Sequence, residues 1–296
     1  MSEPRPSTTA LGVAMLRAAH QVIDDEPRVL VDPVVLSLLG PETAARIRER
    51  AESLRTAGAC ALRAHVVLRS RFAEERLRRA VERGVRQYVI LGAGYDTFAY
   101  RQPGWAAALQ VIEVDQPPSQ RAKRDRLDAA GIAVPPNARF AAIDFERQTL
   151  RKGLAASGVD LDAPVFLSCL GVLVYLTREA VVDLFRFVAS LPAGSECAFT
   201  FGGRSGMNAD GGSPLAAMAA QVGEPFRSPL DLHEVRAILG SVGLGDPEVM
   251  TVTEQAEYLG DRRDGLSLPR RASIASVVVD GTGDRVLLRE CETRSL

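Results

Sequence analysis

Three acids and two glycines carry the first chemical signal in this chain. Gly92 and Gly94 stand in Gln87-Tyr-Val-Ile-Leu-Gly-Ala-Gly-Tyr-Asp-Thr97, directly after the apolar run from Tyr88 to Leu91. A buried strand that ends in Gly-x-Gly lets the backbone turn tightly and approach a ligand without interference from a Cβ atom. The dinucleotide fingerprint would place a third glycine or an alanine at position 97, where this chain has Thr97. Asp96 puts a negative charge beside the loop. A cationic ligand, such as a sulfonium that also bears an amine, suits that charge better than a pyrophosphate does. The other two acids close the next apolar run, Ala108-Leu-Gln-Val-Ile-Glu-Val-Asp115, and Asp115 falls 23 residues after Gly92. An acid at the end of a second strand is where doubly wound folds hold a ribose with free hydroxyls. Either Glu113 or Asp115 alone also reads as the solvation of a strand end.

Other residue types able to do chemistry are sparse. His20, His65 and His233 are the only histidines, and a lone histidine on a helix is more often structural than catalytic. The four cysteines, Cys60, Cys169, Cys197 and Cys291, are widely scattered and lack Cys-x-x-Cys spacing, so no metal site is expected from them. Arg69 and Arg71 lie in Arg69-Ser-Arg-Phe-Ala-Glu-Glu-Arg-Leu77, where Glu74 and Glu75 are near enough to make both arginines ordinary helix-surface charges. Tyr175 lies just past an expected fourth strand, placed either to orient an acceptor or to pack in the core.

The elements that must position these residues follow from periodicity. Residues 1–83 read as helical with breaks: Ala10–Val22 capped by Thr8 or Thr9, Val34–Leu39, Thr43–Ala57, and a long helix Ala61–Arg83 closed by Gly84. Then strands and helices alternate. Strands are expected at 87–92, 108–115, 137–144, 164–170 and 196–201, with helices at 119–130, 146–157 and 177–190 between them. The third strand again ends in an acid, Asp144. Residues 202–227 break the rhythm with a glycine-rich insertion on the ligand side, and a helix from Ser228 to Leu239 follows. Glu248–Thr253 and Ser273–Val279 are expected to be the last two strands, joined as a hairpin by a long charged connection. The whole predicts an α/β fold with a doubly wound, mostly parallel, seven-stranded sheet, the core spanning 84–296 behind a helical lid over 1–83.

With 296 residues and 46% hydrophobic content, the chain can bury the core of one elaborated α/β domain. Its formal net charge of −1 gives no electrostatic case for nucleic acid or for an anionic membrane surface. No run of about 18 apolar residues suggests a membrane span, and the first residues show no signal pattern. A cytoplasmic, reducing location is the expectation.

Taken together, several stretches resemble the leucine carboxyl methyltransferase-like family of S-adenosylmethionine-dependent methyltransferases, especially its bacterial and actinobacterial branch. They are Arg69–Leu77, Gly84–Thr97, Glu113-Val-Asp-Gln-Pro117, Ile143-Asp-Phe-Glu-Arg147 and Leu170-Gly-Val-Leu-Val-Tyr-Leu-Thr-Arg-Glu-Ala180, in family order across roughly residues 28 to 200. The resemblance implies a Rossmann-like class I methyltransferase that binds S-adenosylmethionine and methylates a carboxylate or hydroxyl of a small molecule, in specialised metabolism. It implies that Arg69 binds the cofactor's carboxylate, that Gly92, Ala93 and Gly94 face its methionine part, and that Asp115, with Glu113 beside it, holds the ribose. Asp144 and Phe145 would bracket the adenine. The better-studied members carry a glutamate at the position of Leu170, which sets this chain apart from the protein-modifying members. A nicotinamide oxidoreductase and a non-catalytic cofactor-binding protein are the competing readings, and Thr97 and Asp96 weigh against the first.

Overall fold

A computed structural model describes residues 6–144, 149–202, 223–266 and 272–281. Seven strands form one sheet: β1 Gln87–Leu91, β2 Gln110–Asp115, β3 Ala138–Ala142, β4 Val165–Cys169, β5 Glu196–Gly202, β6 Glu248–Val249 and β7 Ala272–Val278. Their spatial order is β3-β2-β1-β4-β5-β7-β6. β1 to β5 run parallel, and β7 enters antiparallel between β5 and β6. β1 and β4 are buried along their whole length, as expected of a parallel sheet covered on both faces.

The helices are α1 Thr8–Ile23, α2 Val34–Leu39, α3 Thr43–Glu49, α4 Ala51–Leu54, α5 Ala57–Glu82, α6 Pro117–Ala129, α7 Leu150–Ala156, α8 Arg178–Ala189, α9 Leu232–Ser241 and α10 Val252–Leu259. One face of the sheet packs Val89, Leu91, Leu167 and Phe199 against Leu154 of α7, Phe185 of α8 and Val235 of α9. The other face packs Tyr88, Ile90, Phe166 and Ala198 against Phe72, Ala73, Leu77 and Ala80 of α5. The C-terminal two thirds of α5 is therefore a layer of the same core as the strands. A third cluster joins Ala14 and Ala18 of α1 and Leu38 of α2 to Tyr95 and to Leu127 of α6, which seats α1 over the loop after β1.

Local signals explain most boundaries. Thr177 caps α8 by accepting from the Ala180 N–H, as expected. α1 starts at Thr8, because Ser7, and not Thr8 or Thr9, is the cap and accepts from the Ala10 N–H. The helix expected over Thr43–Ala57 is broken into α3 and α4 at Arg50 and ends at Leu54. The largest correction lies near the C-terminus. The strand expected at Glu248–Thr253 stops at Val249, because Thr251 and Glu254 form a capping box that starts α10. The hairpin pairing of β6 with β7 is present, with α10 in its connection. The insertion expected at 202–227 lies largely outside the described residues. Among those residues no helix is long and apolar enough to cross a membrane, and no His, Cys, Asp and Glu cluster could hold a metal ion.

Candidate active site

The C-terminal ends of β1, β2, β3 and β4 bring the sequence motifs together. β1 ends at Leu91, and the chain turns at once through Gly92 and Gly94, both at positive φ. A Cβ on Gly92 would collide with the Val172 side chain after β4, so only glycine fits there. Ala93 is buried, and its N–H donates to Val114 O on β2 at 2.9 Å. The Gly94 N–H donates to Asp115 Oδ2 at 2.6 Å, and the Gln116 N–H to Asp115 Oδ1 at 2.7 Å. Asp115 thus fixes the glycine loop to the end of β2. A carboxylate accepts about four hydrogen bonds, so it keeps capacity for the hydroxyls of a ligand. Burial raises its pKa, and the two backbone N–H groups oppose the rise. Asp144 is half-buried two residues past β3, and its neighbour Ile143 donates to Asp115 O at 3.0 Å, so the two acids stand on adjacent strand ends. Phe145 lies outside the described residues.

Glu113 behaves differently. It shares a strand face with Asp115 but sits one pleat deeper, where it is 2% exposed. Lys123 Nζ lies 2.6 Å from its Oε2, and the Tyr100 hydroxyl donates to it at 3.1 Å. Burial raises its pKa against the pull of Lys123. It is engaged inside the protein beneath the ligand side, which leaves Asp115 as the acid of this strand that reaches the ligand side.

Asp96 and Thr97 tie the loop to the N-terminal helices. Thr97 is fully buried, and its hydroxyl donates to Asp32 Oδ2 at 2.8 Å. Position 97 therefore carries a buried anchor in place of the close-packing glycine of a dinucleotide fingerprint. Arg17 of α1 reaches Asp32 at 3.2 Å and Asp96 at 3.9 Å, and it donates to Tyr95 O. Arg101 pairs with Glu74 of α5 and with Asp32 at 3.5 Å. Burial would raise the Asp96 pKa, but Arg17, Lys123 and Arg101 hold it below the ordinary carboxylate value. Asp96 is thus an ionised acid already faced by Arg17. No spacing in the sequence pointed to Arg17, since its partners are 15 and 79 residues away.

Arg69 projects from α5 over the end of β4. Its Nη1 lies 2.6 Å from where a Cβ on Gly171 would sit, and Gly171 is itself held by donating to Thr200 Oγ1 at 2.7 Å. Among the described residues, Arg69 makes no hydrogen bond and no ion pair. Burial and the nearby charge of Arg17 lower its pKa to about 10, with Tyr175 and Asp96 acting the other way. It remains a half-buried cation at neutral pH. Arg71 points away: it is half-exposed, 3.7 Å from Glu75 and stacked over the Tyr258 ring.

Leu170 follows β4 directly and is half-buried against the α5 side of the core. Burial pushes the Cys169 thiol beside it up to about 12, so it is no nucleophile. Tyr175 is half-buried in a short turn, edge-on to Phe226 at 5.4 Å, with Thr9, Glu224 and Arg69 near its hydroxyl. Glu224 also clamps the start of α1, accepting from the Thr8 N–H at 2.7 Å and from the Ser7 hydroxyl at 2.9 Å. Arg69 stands by the end of β4 on one side of the glycine loop, Asp115 and Asp144 stand at the ends of β2 and β3 on the other, and α1 packs over the loop. This arrangement can take a ligand that carries a carboxylate at one end and vicinal hydroxyls further on.

A family model described as leucine carboxyl methyltransferase matches residues 10–189, which includes the glycine loop, Arg69, Asp115, Asp144 and Tyr175. A protein of Bacillus subtilis strain 168 named "Putative S-adenosyl-L-methionine-dependent methyltransferase YktD" is 34% identical over 205 residues, covering 67% of this chain and 67% of its own length. A protein of Frankia alni with the same style of name is 33% identical, over 72% of this chain and 75% of its own. Among solved structures, a DUF574 family protein from Streptomyces avermitilis superposes with a TM-score of 0.53 at 20% identity, covering 82% of this chain and 94% of that one. That last likeness speaks to the fold alone.

Proposed function

The chain belongs to the leucine carboxyl methyltransferase family, and on that premise we propose that it methylates an oxygen, carboxylate or hydroxyl, of a small molecule held above Arg69 and Tyr175. It is an S-adenosylmethionine-dependent methyltransferase. The observation that carries the assignment of the site is Arg69, a half-buried guanidinium without an ion-pair partner among the described residues, beside a glycine cradle.

The residues present fit the cofactor. Arg69 would take its carboxylate as a planar fork, and Asp115 has unused acceptor capacity for ribose hydroxyls. Asp144, with Phe145, would meet the adenine. When bound, the cofactor supplies a methyl group on a sulfonium, ready for in-line displacement. The protein's part is to hold the acceptor oxygen in line and to exclude water. α1, seated over Gly94 through Ala10, does the excluding. Tyr175 would orient the acceptor. Leu170 removes a carboxylate that the protein-modifying members carry, which supports a small-molecule substrate. The free buried thiols Cys60, Cys169 and Cys197 suit a cytoplasmic setting.

Two results follow. In a thermal-shift experiment, S-adenosylmethionine and S-adenosylhomocysteine should raise the melting temperature by mass action, while NADH should leave it unchanged. Stabilisation by NADH alone would restore the oxidoreductase reading. Asp115→Ala should cost roughly 1.5–3 kcal/mol of cofactor binding through lost charge-assisted hydrogen bonds. Calorimetry on the folded variant checks this, and unchanged affinity would mean the ribose is held elsewhere.

A further inference from the structure

His65 is a buried titratable group with no part in the cofactor site. It is 8% exposed, and its Nδ1 is buried without a hydrogen-bond partner among the described residues. The contrast with His20 is direct, since His20 Nδ1 is paired with Asp24 at 2.8 Å and its Nε2 lies 3.4 Å from the Leu30 N–H. A buried polar atom left without a partner is costly, and a catalytic role or a bound water or ion is among the reasons such an atom persists.

Its position follows from the helix. α5 runs antiparallel to the central strands: Arg76 meets Glu196 at the first residue of β5, and Arg69 lies over Gly171 just past the last residue of β4. His65 is four residues further in that direction, about 40° round and about 6 Å along the axis. It therefore stands on the face of Arg69, one turn beyond the strand ends. The charge of Arg69 adds to burial in lowering the His65 pKa, in keeping with that shared face.

The charges there are otherwise spoken for. Arg17 is tied to Asp32 and Asp96, Arg101 to Glu74 and Asp32, and Lys123 to Glu113. Arg69 goes to the cofactor's carboxylate in the reading above. The groups left around Tyr175 are Thr9 and Glu224, neutral or negative. Arg227, whose N–H donates to Val174 O beside Tyr175, is exposed, so a second carboxylate buried next to Glu224 would meet no buried cation among the described residues left by these pairings, a costly burial.

Resting on the cofactor site proposed above, we infer that His65 faces the methyl acceptor and that the reacting group of the acceptor is a neutral hydroxyl, which donates its hydrogen bond to the imidazole. Burial and Arg69 hold the His65 pKa near 3, so the ring is neutral and able to accept. As the hydroxyl oxygen forms its bond to the methyl carbon, the carbon–sulfur bond breaks and its electron pair returns to sulfur. The hydroxyl proton, acidified by the charge developing on oxygen, passes to the imidazole and on to water. Pairing of Arg69 with the cofactor's carboxylate removes the like charge that opposes this transfer.

The test uses the full chain loaded with S-adenosylhomocysteine and two matched probe pairs, 4-nitrophenol with 4-nitrobenzoate and 2-naphthol with 2-naphthoate. Binding is read from the imidazole resonances of labelled histidine, with His65→Leu used to assign the signal. Methyl transfer is followed in parallel with S-adenosylmethionine. The hydroxyl members should shift the His65 signal and be methylated on oxygen, and the carboxylates should do neither. His65→Leu should weaken hydroxyl binding at least tenfold at unchanged cofactor affinity, and His65→Asn should restore part of it. Methylation of a carboxylate member, equal hydroxyl binding in wild type and His65→Leu, or no hydroxyl bound at all would each overturn the inference. Failure of the wild type to bind S-adenosylmethionine would instead overturn the cofactor reading, and this one with it.

Discussion

Arg69→Ala is expected to weaken S-adenosylmethionine binding at least tenfold while leaving the fold intact. The guanidinium makes no ion pair among the described residues, so its removal breaks nothing in the free protein. It even relieves a half-buried cation whose pKa is already depressed to about 10. The loss appears only when the cofactor's carboxylate arrives and finds no partner. A charge-assisted, two-pronged contact is worth roughly 1.5–3 kcal/mol, and about 1.4 kcal/mol is a factor of ten. Arg69→Lys should recover part, because it keeps the charge and loses the fork. Arg71→Ala should change cofactor affinity little, since Arg71 is spent on Glu75 and the Tyr258 ring on the opposite side of the helix. Titration calorimetry on the three variants at matched salt checks the ranking, with circular dichroism for folding. A larger loss in Arg71→Ala would move the assignment to that residue.

Asp24→Ala should be the most destabilising of the substitutions considered, at about 3–5 kcal/mol. Asp24 ends α1, and both of its oxygens lie 2.7 Å from the Arg63 guanidinium on α5. The two side chains are 1% and 0% exposed. The truncation leaves Arg63 buried with a hydrogen bond to Leu54 O and no counter-ion. Against a typical total stability of about 5–15 kcal/mol, that is a large fraction. Burial would raise the Asp24 pKa, but hydrogen bonds from His20 and Arg63 and the charge of Arg63 hold it below its ordinary value. A carboxyl depressed in the folded state stabilises fully above its unfolded pKa of about 3.9. It loses that contribution as pH falls through the lower folded value. The wild type should therefore lose stability as pH drops below about 4, and Asp24→Ala should show a shallower acid limb from a lower start. Urea unfolding at several pH values measures both, and parallel limbs would mean that the pair does not couple to acid.

The central sheet was legible because its signals are local. Each parallel strand is a short apolar run bounded by glycine or an acid, and the glycine loop with Asp115 sits at a fixed distance along one β-α-β unit. The two acids of β2 show where that legibility ends. Glu113 and Asp115 look equivalent in sequence, and only Lys123 and Tyr100, brought in by α6 and the turn after β1, draw Glu113 into the interior. The couplings that seat α1, among them Arg17 with Asp32 and Asp96 and Glu224 with Ser7, join residues far apart in the chain, so no spacing announces them. α10 was a different kind of miss. Thr251 and Glu254 spell a capping box that was there to be read, but the β-branched run before it reads as strand. Arg69 looked like an ordinary helix charge on spacing alone, and its lack of a partner is a property of the packed structure.

The most direct test of the account crosses one atom group on the ligand with one on the protein. Decarboxylated S-adenosylmethionine is titrated, beside the intact cofactor, into wild type and Arg69→Ala. If Arg69 holds the carboxylate, wild type should bind the decarboxylated form at least tenfold more weakly than the intact cofactor, and Arg69→Ala should bind both alike. If Arg69→Ala loses as much affinity for the decarboxylated form as for the intact one, Arg69 does not face the carboxylate and the proposed placement of the cofactor is wrong.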